Sequence, residues 1–431
     1  MTVSRVAQLF VPLGASWLLM AAEQPLLTAV IARMADQKVQ LAAWGAVVFP
    51  VALVIEAPII MLLAASTALC GDKQSYRKVR RFMLVAGASL TALHVLVAFT
   101  PLFDVLTRQL LRTPAAAIEP ARLGLQLMTP WTWAIAYRRF QQGVLIRFGR
   151  ARAVTVGTVI RLTSVGSVLA VGFYATDWPG VAVAGAAISV GVVAEAVYSG
   201  WCVRSVLPRL RPAPAPGAEL DLRRFLAFYV PLAMTPLVML LIHPLGAAAM
   251  GRMPNSIDSL AAWGPLYGLV FVARSVGMGY NEAVVSLIGE RGSLPALRRF
   301  NRILMTVTTG GLLLVAATPL AGLWFGHVQH LAPDLEQLAR LGVLLCIPMP
   351  AYQVLQSFYQ GALVSSRRTA PVTEAVIVYG VVATLMCALG VALAPTAGLV
   401  WVVISFVTAG SCQTTWLWVR SRGVIRKFAA N

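Results

Sequence analysis

Apolar runs of about 20 residues or more recur along the whole chain, and this feature constrains the fold more than any other. A helix of that length crosses the ~30 Å hydrocarbon core of a bilayer and satisfies its backbone hydrogen bonds internally. Twelve candidate spans can be marked, at roughly 6–32, 40–69, 82–103, 120–146, 153–176, 180–202, 225–250, 258–289, 303–325, 338–364, 371–394 and 397–420. The short alternation of a membrane barrel is missing from them. The chain is 58% hydrophobic and only 12% charged, about half the charge of a soluble protein. The sequence therefore predicts an all-α polytopic membrane protein.

The net charge of +19 raises the question of nucleic acid, and its distribution answers it. Basic residues crowd the even-numbered connections and both ends: Arg5, "GDKQSYRKVRR" at 71–81, "RFGRAR" at 147–152, the 204–224 segment, "RGSLPALRRFNR" at 291–302, "SSRR" at 365–368 and "RSRGVIRK" at 420–427. The odd-numbered connections hold few. This is the positive-inside pattern, and it predicts both termini in the cytoplasm. Membrane lipids are then a partner and nucleic acid is not; anionic headgroups are a secondary use of the basic clusters. Cys70, Cys202, Cys346, Cys387 and Cys412 are scattered, with no metal spacing and no disulfide framework. The first apolar run holds Glu23 and Gln24, is too long for a cleavable signal, and is expected to remain as the first span.

The chain also repeats itself. "LAAWG" stands at 41–45 and again at 260–264. At a shift of 219, Pro12-Leu13 falls on Pro231-Leu232, Pro25-Leu26 on Pro244-Leu245, and Arg33-Met34 on Arg252-Met253. At 218, Pro130 meets Pro348, "FQQG" at 140–143 meets "FYQG" at 358–361, and Arg150 meets Arg368. Matched Pro, Trp, Arg and Gly in order point to an internal duplication. Six spans per repeat is even, so the copies are related by an axis along the membrane normal. The expected architecture is two six-helix bundles in a parallel 6+6 repeat around a central cleft. The expected divisions are an N-terminal bundle at 1–203, a linker at 204–224 containing "RPAPAPGAE", and a C-terminal bundle at 225–431. Prolines inside spans, at matched positions, read either as packing geometry or as bends used in transport.

Ionisable groups inside spans are expensive and face cavities or one another. The candidates are Glu23 and Gln24, Glu56, His94, Arg138 and Arg139, Arg161, Glu195, His243, Arg274, Asn281 and Glu282, and Glu374. Glu195 and Glu374 lie near span ends and are expected to reach the interface. Arg138 and Arg139 are open to snorkelling, and His94 to being a hydrogen-bonded core histidine or a proton carrier. Arg161 and Arg274 sit deeper, with internal ion pairs as the plain alternative. The repeat places Ile242 at Glu23, His243 at Gln24, Ser275 at Glu56, and Gln356 and Ser357 at Arg138 and Arg139. The scaffold is duplicated and its charges are not, which suits a substrate site. Glu23, Gln24, Arg138, Arg161, His243 and Arg274 are therefore assigned to substrate binding, and Glu56, His94, Asn281 and Glu282 to coupling or charge balance. Arginine favours phosphate or carboxylate. No ATPase loop, catalytic constellation, metal site or cofactor motif is present, so a non-enzymatic transporter without cofactor is expected.

Pro12, Leu13 and Gly14, Glu23 and Gln24, and then Pro231, Leu232, Ala233, Pro244 and Arg252 carry a resemblance. With the 6+6 duplication, the chain resembles the progressive ankylosis protein family within the multidrug and toxic compound extrusion (MATE) branch of the MOP transporter superfamily. Glu282 matches an acidic residue of that family's eighth span, whereas His243 replaces an arginine. The resemblance implies a monomeric exporter of multivalent anions such as pyrophosphate, a nucleotide such as ATP, or citrate, in a bacterial inner membrane. A proton- or sodium-coupled multidrug antiporter and a flippase for an anionic lipid-linked precursor are the competing readings.

Overall fold

The structure is a computed structural model that describes residues 2–212, 220–366, 368, 370–393 and 396–430. Residues 213–219 of the expected 204–224 linker, and Arg367 of the 365–368 cluster, lie outside the described residues. Among the described residues the protein is helical, apart from one isolated bridge between Asp72 and Arg211. Among the described residues ten helices are long and apolar enough to cross a bilayer, from Val3–Ile31 to Gly398–Ala429, which makes this a multi-pass membrane protein. Pro333–Leu345 and Pro348–Ser365, bent by 42°, form an eleventh if taken as one broken span. The expected 120–146 span is divided at Met128 into Ala115–Leu127 and Thr129–Arg147. The second of these carries Arg138, Arg139, Gln141 and Gln142, which make it too polar to pass on composition; protein buries most of those groups instead.

Chain packing resolves into two compact units. One joins residues up to Arg33 with those from Leu245 onward. Inside it the first helix, Val3–Ala21, packs against Tyr280 and Phe300 through Phe10, at ring-centroid distances of 6.2 and 5.1 Å. Lower in the same unit Thr28 Oγ1 donates to Gln329 at 2.8 Å, and Gln329 Nε2 donates to the Pro25 carbonyl at 3.1 Å.

The other unit runs from Met34 to Pro244. Phe82 meets Phe225 and Tyr229 edge-on at 4.8 Å, and the Tyr229 hydroxyl donates to the Pro58 carbonyl at 2.6 Å. Gly143 explains the glycine of "FQQG". A Cβ there would stand 1.9 Å from Ser66 Oγ, so only glycine lets helices Leu62–Leu69 and Thr129–Arg147 approach this closely.

Some local backbone features recur in both repeats, although the π-helical turn at Ala43–Val48 falls on regular helix in Ser256–Met278. π-helical turns occupy Val105–Leu111 and Leu323–Val328, positions related by the 218 shift. Each follows a Thr-Pro-Leu: Thr100 and Thr318 donate to the carbonyls four residues before them, both at 2.6 Å, and accept from Leu102 and Leu320, both at 3.3 Å. The left-handed residues pair as well. Arg112 and His330 both have φ of 53°, and Asp36 and Asn255 have 55° and 53°. Asx residues tolerate that conformation because the side chain bonds locally. Matched prolines behave less uniformly. Pro130 and Pro348 both sit in the first turn of a helix, where the missing N–H costs nothing. The first span, however, breaks at Ala22, while Leu222–Met250 runs on through Pro231, Pro236 and Pro244.

Candidate functional site: buried arginines and carboxylates

The densest buried charge lies in the 34–244 unit, where four helices converge. Thr129–Arg147 supplies Arg138 and, four residues on and therefore on the same face, Gln142. Ala151–Ala175 supplies Arg161, Gly180–Val203 supplies Glu195, and Phe49–Ile60 supplies Glu56. Arg138 Nη1 donates to Glu195 Oε2, and Gln142 Nε2 donates to Oε1 at 2.9 Å. Arg161 Nε stands 3.7 Å from Glu195 Oε2. Glu195 has no exposed surface, which corrects the expectation that it reaches the interface: two arginines and a glutamine enclose it. Snorkelling is likewise excluded for Arg138, which is 4% exposed.

Glu56 is 5% exposed and its Oε2 has no hydrogen-bond partner. Arg139, Arg138 and Arg161 are the cations whose fields reach it. The cluster thus sets three arginines against two carboxylates. His94 settles as a core histidine: its ring nitrogens lie 2.7 Å from Thr132 Oγ1 and 2.9 Å from the Leu125 carbonyl. A carbonyl only accepts, so Nε2 donates to it and Nδ1 takes the threonine proton; the neutral ring is then fully satisfied. His243 is half-buried in this unit.

The other unit holds the remaining candidates. Arg274 lies on Ser256–Met278 and is half-buried. Its Nη2 donates to Gln353 at 2.8 Å, and its guanidinium carbon stands 5.7 Å from the Tyr352 ring centre. Its Nε has no partner, and no carboxylate among the described residues pairs with it. Tyr352, Tyr267 and Tyr379 are the polar groups closest in influence. Glu23 is buried in the first turn of Glu23–Ile31, and Gln24 Nε2 has no hydrogen-bond partner. Asn281 donates to the Ser357 carbonyl at 3.2 Å, Glu282 is exposed, and Glu374 holds Arg420 and Trp416 at the surface.

Sequence reasoning overlooked Gln142, which donates to Glu195, and Gln353 and Tyr352, which flank Arg274. Gln142 was visible only as a letter of the "FQQG" repeat. It also overlooked a pairing. At the 218 shift Arg138 corresponds to Gln356 and Glu195 to Gln413. Gln356 Nε2 lies 3.2 Å from Gln413 Oε1 and 2.9 Å from Thr414 Oγ1. One repeat joins these helices by charge and the other by neutral amides.

No protein-family model matches the sequence, and no curated protein does. Solved structures match the fold over nearly the whole chain. An inward-facing multidrug resistance MATE family transporter of the MOP superfamily is 15% identical, with 94% of this chain and 95% of that one covered and a TM-score of 0.73. A eukaryotic MATE transporter is 12% identical over 99% of this chain and 98% of its own, at a TM-score of 0.68. A MOP superfamily transporter from Pyrococcus furiosus, in which reverse polarity of the binding pocket suggests a different function, is 14% identical over 98% and 96%, at 0.58. These neighbours establish that the chain has the fold of MATE transporters.

Proposed function

We propose that this protein is a secondary transporter that exports phosphate- or carboxylate-bearing anions by alternating access. The fold likeness supports transport. Arg274 carries the substrate class: it is a guanidinium inside an apolar helix with an amide and an aromatic face for company and no carboxylate. Such a group is stabilised by an anion that accepts from its fork. The excess of arginine over carboxylate around Glu195 supports the same sign of substrate. The progressive ankylosis resemblance supports pyrophosphate, ATP or citrate. The Pyrococcus neighbour supports the idea that pocket polarity can vary on this fold. In this reading Glu195 positions Arg138 and Arg161 and Glu56 balances their charge within the 34–244 unit, and Arg274 receives the anion in the other.

A second reading, cation-coupled multidrug antiport, is favoured by one observation. Glu56 Oε2 is a buried carboxylate oxygen without a hydrogen-bond partner, suited to taking a proton or cation. Proteoliposomes loaded with labelled pyrophosphate, ATP or citrate separate the two. Wild-type protein should release at least one of them, and Arg274→Ala should release it at least tenfold more slowly. Transport of cationic dye against a proton gradient, abolished by Glu56→Gln and with no anion movement, would establish the second reading instead.

A further inference from the structure

We propose a second anion site, separate from Arg274, in a cavity of about 510 Å³ in the unit that contains residues from Leu245 onward. Its walls are the first turns of Ser293–Ala317, the middle of Pro348–Ser365 and the last turns of Gly398–Ala430. Arg298 and Arg302 project into it from one helix, and Arg422 and Arg426 from another. Both pairs are spaced i, i+4, so each stacks like charges on one helical face, an arrangement unfavourable by itself. Among the described residues no carboxylate lines the cavity. Four mutually repelling guanidiniums around one space are relieved by a ligand of opposite charge.

A second, independent feature points to the same ligand. Asn301 lies between the two arginines of its helix, is 7% exposed, lines the cavity, and has a side-chain oxygen with no hydrogen-bond partner. That oxygen needs a donor, which a hydroxyl beside a phosphate supplies. Trp418 closes one side: it is 43% exposed, with Arg422 stacked 3.5 Å above its ring centre. A ligand with phosphate, hydroxyl and an apolar extension therefore fits: the headgroup of an anionic phospholipid such as phosphatidylglycerol. The basic ends that form the site are those that charge patterning assigns to the inner membrane face, where such headgroups present themselves.

The test is lipid retention by purified protein, read by native mass spectrometry after incubation with phosphatidylglycerol or phosphatidylcholine. Wild-type protein should retain phosphatidylglycerol at least tenfold over phosphatidylcholine, and Arg302→Gln with Arg422→Gln should abolish that preference. Both side chains are exposed, so folding should survive; each single variant is expected to cut retention at least threefold. Arg274→Ala should leave retention unchanged, so the outcome is independent of the transport reading. In lipid-free micelles, labelled pyrophosphate binding that survives Arg274→Ala and is lost in the double variant would keep the phosphate chemistry and assign its source to a soluble ligand. A double variant that keeps both the lipid preference and pyrophosphate binding overturns the site.

Discussion

Arg138 and Glu195 form an ion pair whose side chains are 5% and 0% exposed, and the residues equivalent to them in the other repeat, Gln356 and Gln413, are hydrogen-bonded too. The same two helical positions meet in both halves. The duplication has preserved the contact and changed its chemistry, so one half of the chain carries a charge cluster on a scaffold that functions without it in the other.

Glu195→Gln tests how far the cluster depends on its acid. It leaves Arg138 and Arg161 buried without their carboxylate, and removing one member of a buried pair costs about 3–5 kcal/mol. Thermal unfolding in detergent should show a large loss. Arg138→Gln combined with Glu195→Gln, which copies the neutral pair, should recover part of it. A double variant as unstable as the sum of the singles would show that the two positions are uncoupled.

Arg274→Lys separates charge from geometry. Lysine keeps the cation and loses the planar fork, so transport should be partial, between wild type and Arg274→Ala. A charge-assisted hydrogen bond contributes about 1.5–3 kcal/mol, so loss in the alanine variant should weaken anion affinity about ten- to hundredfold. Equal activity in all three proteins would make Arg274 a packing residue.

Gly143→Ala and Gly361→Ala probe the close helix approaches. A Cβ would come within 1.9 Å of Ser66 Oγ at the first and 2.7 Å of Val284 Cγ1 at the second. Overpacking costs about 1–3 kcal/mol. Both variants should melt earlier, Gly143→Ala by more, because part of its obstruction is the Leu63 carbonyl, which has less room to move than a side chain.

Asp104 gives a pH signature outside the spans. Hydrogen bonds from Arg122, at 2.7 Å, and Arg108, at 3.2 Å, hold its carboxyl below the usual aspartate range. A depressed folded-state value means that the contribution is full above the unfolded value, about 4, and is lost as pH falls through the folded one. Melting of wild type against Asp104→Asn should therefore differ at pH 7 and converge below about pH 4. A gap that did not begin to narrow as pH falls below about 4 would rule out this ion pair as its origin.

Orientation is tested by single cysteines in a background without native ones. Glu119→Cys, on the 104–119 connection and 72% exposed at its side chain, should react with an impermeant maleimide in intact cells. Arg77→Cys, in the 71–81 cluster, should react only after permeabilisation. The reverse pattern would invert the topology.

Sequence alone determined the solvent and the ancestry. Long apolar runs demand helices in lipid because backbone groups have no other partner there, and Pro, Trp and Gly matched at 218–219 residues mark the duplication. The same letters also placed the expensive charges on particular helices. Tertiary structure decided what those charges do. Glu195 looked like an interface residue because hydropathy measures depth along one helix; only the convergence of two other helices encloses it with Arg138, Arg161 and Gln142. The break at Met128 and the left-handed Arg112 and His330 depend on backbone geometry that side-chain periodicity does not record. Arg274 stands apart for the same reason. A sequence names the arginine, but its lack of a carboxylate is a property of every residue around it, and the amide that bonds it, Gln353, is 79 positions away in the chain.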